Sequence, residues 1–478
     1  MKKQTRLWMV PCAAAAFTMG MSMMSFAATG WQEEGGTWKY YDNGGSLVTD
    51  AWKKSGNSMF YLDSNGEMAK SQLVDYDGNY YYVNSSGAMV TNQWREIANE
   101  DDYEEEAPES YWYYFQSNGR AYKASDSGNT SFKSIKKADG TTKKYAFDAE
   151  GRMLFGWVGE NSERITGEDA WKSGVFYCGD SNDGAQLNNT WAELDVVDDE
   201  IDKIDFNDKH WFYFQSNGKK VKDALKTING RKYQFDENGA AEYDWYEREL
   251  ASTSTASGST ANIYYNDQDQ RWQAKGWFNV IPGPNVDEEA YENGDAHWFY
   301  AQNDGTLIKS QIKSINGQRY AFNEKGMMLN GLYKLTFDSE NKIDTYEKIE
   351  EFSDMPGEDD ASSVYYFGTS PKEGAMALGT TTIEIDGEKY SYNFKKSGEN
   401  KGAGIDGISS DMIHVKGRIL KADKDVRYEV KEYKDKEYLV NTSGKIQKNR
   451  KNLKDADDKY YSTNAAGEVI YEGYEKQK

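Results

Sequence analysis

The chain has 478 residues, 57 Lys+Arg against 79 Asp+Glu, a formal charge of −22, and is 38% hydrophobic and 14% aromatic. That acidity argues against nucleic acid as a partner, because phosphate binding needs a basic face, and the chain is too polar for one large core yet too aromatic to be disordered. Two Cys and three His exclude a disulfide scaffold and leave little for metal or acid–base chemistry, so the composition leans away from an enzyme.

Lys2, Lys3 and Arg6 precede an apolar stretch from Leu7 to Phe26, and small residues stand around Ala27. This predicts a secretory signal over residues 1–27. Its removal takes three positive charges and leaves −25. No later run of 18 apolar residues predicts a membrane span. Residues 474–478 offer no sorting segment, so surface attachment would be non-covalent. Cys178 reads as a lone buried thiol.

After the signal the chain repeats itself. Trp31, Trp52, Leu73 and Trp94 are 21 residues apart, as are Gly45, Gly66 and Gly87. An aromatic run precedes each glycine, and Leu47, Met68 and Met89 follow two residues later. Each unit predicts a β-hairpin: a strand at the Trp, a tight turn, an aromatic strand, then an Asp/Asn-x-x-Gly turn. A lone two-stranded hairpin is marginal in water, so the hairpins must stack and bury their rings. About fifteen such units are visible, which predicts an all-β, elongated β-solenoid. Regular 21-residue repeats occupy 28–93, decorated repeats with acidic inserts 94–378, and divergent repeats without Trp 379–478. Asn229-Gly230 and Asn316-Gly317 predict two-residue hairpin turns.

The inserts at 99–110, 195–209, 282–296 and 338–361 are rich in Asp and Glu. No cofactor is expected. Calcium is the one candidate, since it takes several oxygen ligands, but 198–208 lacks the glycine and closing Glu of an EF-hand loop, and plain solvated loops are the reading adopted. Residues 399–432 show no hairpin signature. At 34 residues the segment is too short for a catalytic domain.

The unit Gly30-Trp31, Trp38-Lys39-Tyr40-Tyr41-Asp42, Gly45, closing on Ala51-Trp52, resembles the cell-wall-binding repeat family of choline-binding and glucan-binding modules, and so does Gly66-Glu67-Met68. The aromatic hairpins are also similar to clostridial toxin carbohydrate-binding repeats. The resemblance implies a hairpin solenoid with ligands held between successive hairpins, by an aromatic cage with a nearby Met. The matching set is Trp31, Trp38, Trp52 and Met68. Trp94 with Trp112, Trp191 with Trp211, and Trp277 with Trp298 keep both aromatic positions, each pair split by an acidic insert. Met59 and Leu73 replace Trp in the second and third units. A quaternary ammonium has no hydrogen-bond donor and would be held by ring faces; a sugar could stack on the same faces.

The strand Tyr and Phe read as packing, His210 and His297 as strand residues, and no catalytic motif is present. The expected protein is therefore a secreted, non-catalytic surface protein, bound non-covalently to cell-wall teichoic acid choline or polysaccharide. The alternative is a scaffold or adhesin whose acidic inserts bind a protein or calcium.

Overall fold

The computed structural model describes residues 29–100, 107–125, 127–196, 209–250, 259–368 and 372–478. The predicted signal lies outside these, as does most of the insert at 195–209 and the centre of that at 99–110. Among the described residues the chain is all-β, with fifteen antiparallel sheets, eleven of them two-stranded. It divides into two compact units, residues 1–222 with 237–240, and 223–236 with 241–478.

The first unit opens with three hairpins. Strand β1 (Gly30–Glu34) pairs with β2 (Thr37–Tyr41), β3 (Ala51–Ser55) with β4 (Ser58–Leu62), and β5 (Gln72–Tyr76) with β6 (Asn79–Val83). Trp31 stands opposite Tyr40, Trp52 opposite Tyr61 and Leu73 opposite Tyr82. The Asp/Asn-x-x-Gly motif is a side-chain-capped turn. Asp63 Oδ1 accepts from the backbone N–H of Asn65 and Glu67, and Asn84 Oδ1 from those of Ser86 and Ala88. Asn and Asp supply the acceptor that fixes the turn, and Gly87, at φ +81°, supplies its left-handed residue.

Within each unit a recurring backbone bond ties one hairpin to the next. The N–H of Met68 donates to the carbonyl of Trp38, that of Met89 to Met59 and that of Met153 to Trp112, each at 2.8 Å. In the second unit Met328 bonds Trp298 in the same way, at 2.8 Å. The turn glycine then packs on the residue two places after the previous turn glycine: a Cβ on Gly66 would lie 2.7 Å from Leu47, and one on Gly87 2.9 Å from Met68 Sδ. The recurring Gly and Met are thus two halves of one contact. The rings fill clusters between hairpins, such as Tyr61, Val74, Tyr81 and Val83 with Trp52 beside them.

The first unit also holds a three-stranded sheet of Gly156–Val158, Phe176–Asp180 and Asp183–Gln186, with a short helix at Ala170–Ser173. Cys178 is fully buried and unpaired, and burial pushes its thiol up to about 12.

In the second unit both predicted Asn-Gly turns are present, with positive φ at Asn229, Gly230, Asn316 and Gly317. Three expectations are corrected there. The insert at 282–296 contains a helix, Glu288–Asn293, whose capping residue Asp287 accepts from the Ala290 N–H and pairs with Lys325 at 2.7 Å. The insert at 338–361 supplies a strand, Ile343–Lys348, to a four-stranded sheet. Residues 399–432, which show no hairpin signature in sequence, do hold one: Gly407–Ser409 pairs with Met412–Val415, and with Arg418–Ile419 they join Gly379–Ile385 and Glu388–Phe394 in a five-stranded sheet. These strands of two to four residues carry no aromatic run, so the repeat pattern could not reveal them.

One turn carboxylate is set apart by its burial. Burial pushes Asp148 up to about 6, although its Oδ1 accepts from the Arg152 N–H. The folded state therefore holds the proton more tightly than the unfolded chain. Stability from this group falls as pH rises from about 4 to about 6, by up to roughly 3 kcal/mol. Asp148→Asn keeps the turn acceptor, as Asn84 does, without the charge. Thermal melts should show the variant gaining on the parent between pH 4 and pH 7; a constant difference would refute the assignment.

Candidate aromatic-cage sites

Three walls of the first cage come from strands already placed. Trp31 on β1 and Trp38 on β2 face Phe60 of β4 across the junction, and Met68 closes the set. Ser55 and Ser86 complete the lining of a cavity of about 50 Å³. On the scale of one water per roughly 10–15 Å³ of such space, it takes on the order of three to five methyl-sized groups. Trp31 meets Phe60 edge to face at 5.6 Å and Tyr40 at 5.4 Å. Its Nε1 is buried and finds no hydrogen-bond partner among the described residues. The cavity wall is apolar and aromatic, suited to a soft cation or to C–H groups.

Trp52 lies elsewhere. Side chains alternate along a strand, so Trp52 and Tyr61 share one face of their hairpin while Phe60 points back across the other. Trp52 accordingly meets Tyr61 at 5.2 Å and Tyr81 of the next hairpin at 5.1 Å. The wall expected from the next repeat is present, but Phe60 supplies it.

The same geometry recurs twice. In the first unit Trp94 meets Tyr145 at 4.9 Å, and Trp112 and Met153 belong to the same cluster. Tyr145 donates to Asp183, which Lys137 also contacts at 2.8 Å. Burial and then this hydrogen bond push the Tyr145 phenol up. In the second unit Trp277 meets Trp298 at 6.2 Å and Tyr320 at 4.7 Å, with Met328 beside them. Trp191 and Trp211 also come together, at 6.3 Å. Phe60, Tyr145, Tyr320, Met153 and Met328 were not singled out in the sequence. Their signal is an aromatic residue followed eight positions later by Met: Phe60 and Met68, Tyr145 and Met153, Tyr320 and Met328.

A family model described as a choline-binding repeat matches residues 48–94 and 203–241, and one for a cell wall binding repeat matches 110–121. Over these segments the chain is similar to choline-binding and cell wall binding repeats. Among curated proteins it is similar to Glucosyltransferase-S of Streptococcus mutans, 25% identical over 264 residues, 55% of this chain. It spans only 14% of that relative's length. Among solved structures it is similar to CbpJ of Streptococcus pneumoniae, at 18% identity and a TM-score of 0.41, covering 74% of this chain and 99% of that one. Choline binding protein F of Streptococcus pneumoniae is similar at 18% identity and a TM-score of 0.39, covering 74% and 98%. Among the described residues, no helix is long and apolar enough to cross a membrane.

Proposed function

We propose that this protein is exported through the signal at 1–27 and holds to a Gram-positive cell wall, without catalysis, by binding teichoic acid choline through repeated aromatic cages. The observation that carries this reading is the cavity lined by Trp31, Trp38, Phe60 and Met68. The ring faces attract the cation by about 2 kcal/mol or more once it is desolvated. The residues proposed to hold ligand are Trp31, Trp38 and Met68, Trp94 with Trp112, Trp191 with Trp211, and Trp277 with Trp298. Phe60, Tyr145 and Tyr320 act as the wall from the following hairpin. Hairpin units dominate the described residues, eleven of fifteen sheets being two-stranded, which supports a binding role.

Several weak sites on one chain give avidity on a polymer that none gives alone. The junction bond shared by successive hairpins supports extension of each unit as a β-solenoid, regular over 28–93, decorated over 94–378 and divergent over 379–478. A charge of −25 after signal removal opposes anionic wall polymers, and choline's cation offsets that repulsion.

Likeness to a glucosyltransferase supports a second reading, in which a saccharide stacks on the same rings. Co-sedimentation with choline-bearing walls separates the two. Free choline is expected to release the protein from the pellet. Pelleting that ignores choline would transfer the ligand to the glycan, and failure to pellet would refute wall attachment.

A further inference from the structure

A related aromatic junction in the first unit is occupied from within. Trp157, on Gly156–Val158, meets Phe212 edge to face at 5.2 Å, as Trp31 meets Phe60. Eight residues after Phe212, where the cages at Phe60, Tyr145 and Tyr320 have Met, stands Lys220. Its N–H donates to the carbonyl of Val175 at 2.8 Å, the junction bond that Met68 makes to Trp38. Its side chain turns inward and is buried at 6% exposure. The ammonium lies 4.9 Å from the centre of the Trp157 ring and 5.6 Å from that of Phe212. It also donates to the carbonyl of Trp171, in the helix Ala170–Ser173, and lies 3.4 Å from that of Lys172.

We propose that this junction is a further alkylammonium site whose resident is the chain's own Lys220, so that an external quaternary ammonium can enter only when that side chain is withdrawn. Burying an ammonium is costly unless its charge and its N–H donors are met. Here ring faces and carbonyl oxygens contribute to both. A Met at the same position follows the same backbone path but carries no charge, which leaves the cation's place to a ligand. Lys220 thus sets which junctions stay closed. The inference rests on the placement of Lys220 and does not require choline to be the ligand of the other cages.

Equilibrium dialysis of the full chain against labelled choline tests it, with the parent and Lys220→Met compared. The variant should bind one more choline per chain. An unchanged number in a variant whose circular dichroism and melting match the parent would overturn the proposal. If the parent binds none, the wall-choline reading fails, whereas a gain from none to one would still support the resident-lysine site. A second measurement needs no variant. Under an acetylating N-hydroxysuccinimide ester, Lys220 should react at least tenfold more slowly than its neighbour Lys219, whose side chain is 46% exposed. Equal rates, read by peptide mass spectrometry, would overturn it.

Discussion

Trp31→Ala is expected to remove one choline site, weakening binding there by roughly 30-fold or more. Trp31 is a whole wall of the first cavity, and the loss of a desolvated cation–π contact is worth about 2 kcal/mol or more. Calorimetric titration with choline should show one site fewer per chain. Trp31→Phe keeps a ring face and should retain part of the affinity. The decisive comparison is Trp52→Ala. Trp52 packs on Tyr61 and Tyr81, so its loss should lower the melting temperature while leaving the Trp31 cavity able to bind. Equal loss of that site in both variants would sink the assignment of Phe60 in place of Trp52.

Gly239→Ala should be among the most damaging single changes outside a cage. Gly239 has φ +94°, and an added Cβ would lie 2.7 Å from the carbonyl oxygen of Val221. Strain at such a φ costs about 1–3 kcal/mol, and overpacking adds about 1–3 kcal/mol. For a unit of this size the two together predict a fall of roughly 4–24 °C in the melting temperature. Gly140→Ala is the matched control, since Gly140 has φ +87° and an added Cβ there would meet nothing within 4 Å. It should show the strain alone. Equal shifts for the two variants would show that the close approach of Gly239 to the Val221 carbonyl adds no cost.

Much of the hairpin architecture was readable because one short pattern recurs in register. The opening Trp, the aromatic strand and the Asp/Asn-x-x-Gly turn each have a local physical cause, and the Asp63 and Asn84 turns show it. The wall of the cage was less readable. Phe60 and Tyr61 are neighbours in sequence, and a period of two sends them to opposite faces of one hairpin. The choice between Phe60 and Trp52 therefore depends on which face meets the preceding hairpin, a tertiary fact. The five-stranded sheet over 379–419 was hidden for another reason. Its last three strands are very short, and Gly404 and Gly417 pass so closely that no side chain fits between them. Small residues at a crossing leave no hydrophobic pattern to read.

The contact between a turn glycine and the preceding Met or Leu has an evolutionary consequence. At junctions such as Gly66 on Leu47 and Gly87 on Met68, the backbone bond and the small-to-large fit both use residues of the repeating motif. Unequal recombination between such repeats can therefore delete or duplicate a hairpin and leave the new neighbours already complementary. Copy number becomes a variable that drift and selection can change in single steps, and the number of aromatic junctions changes with it.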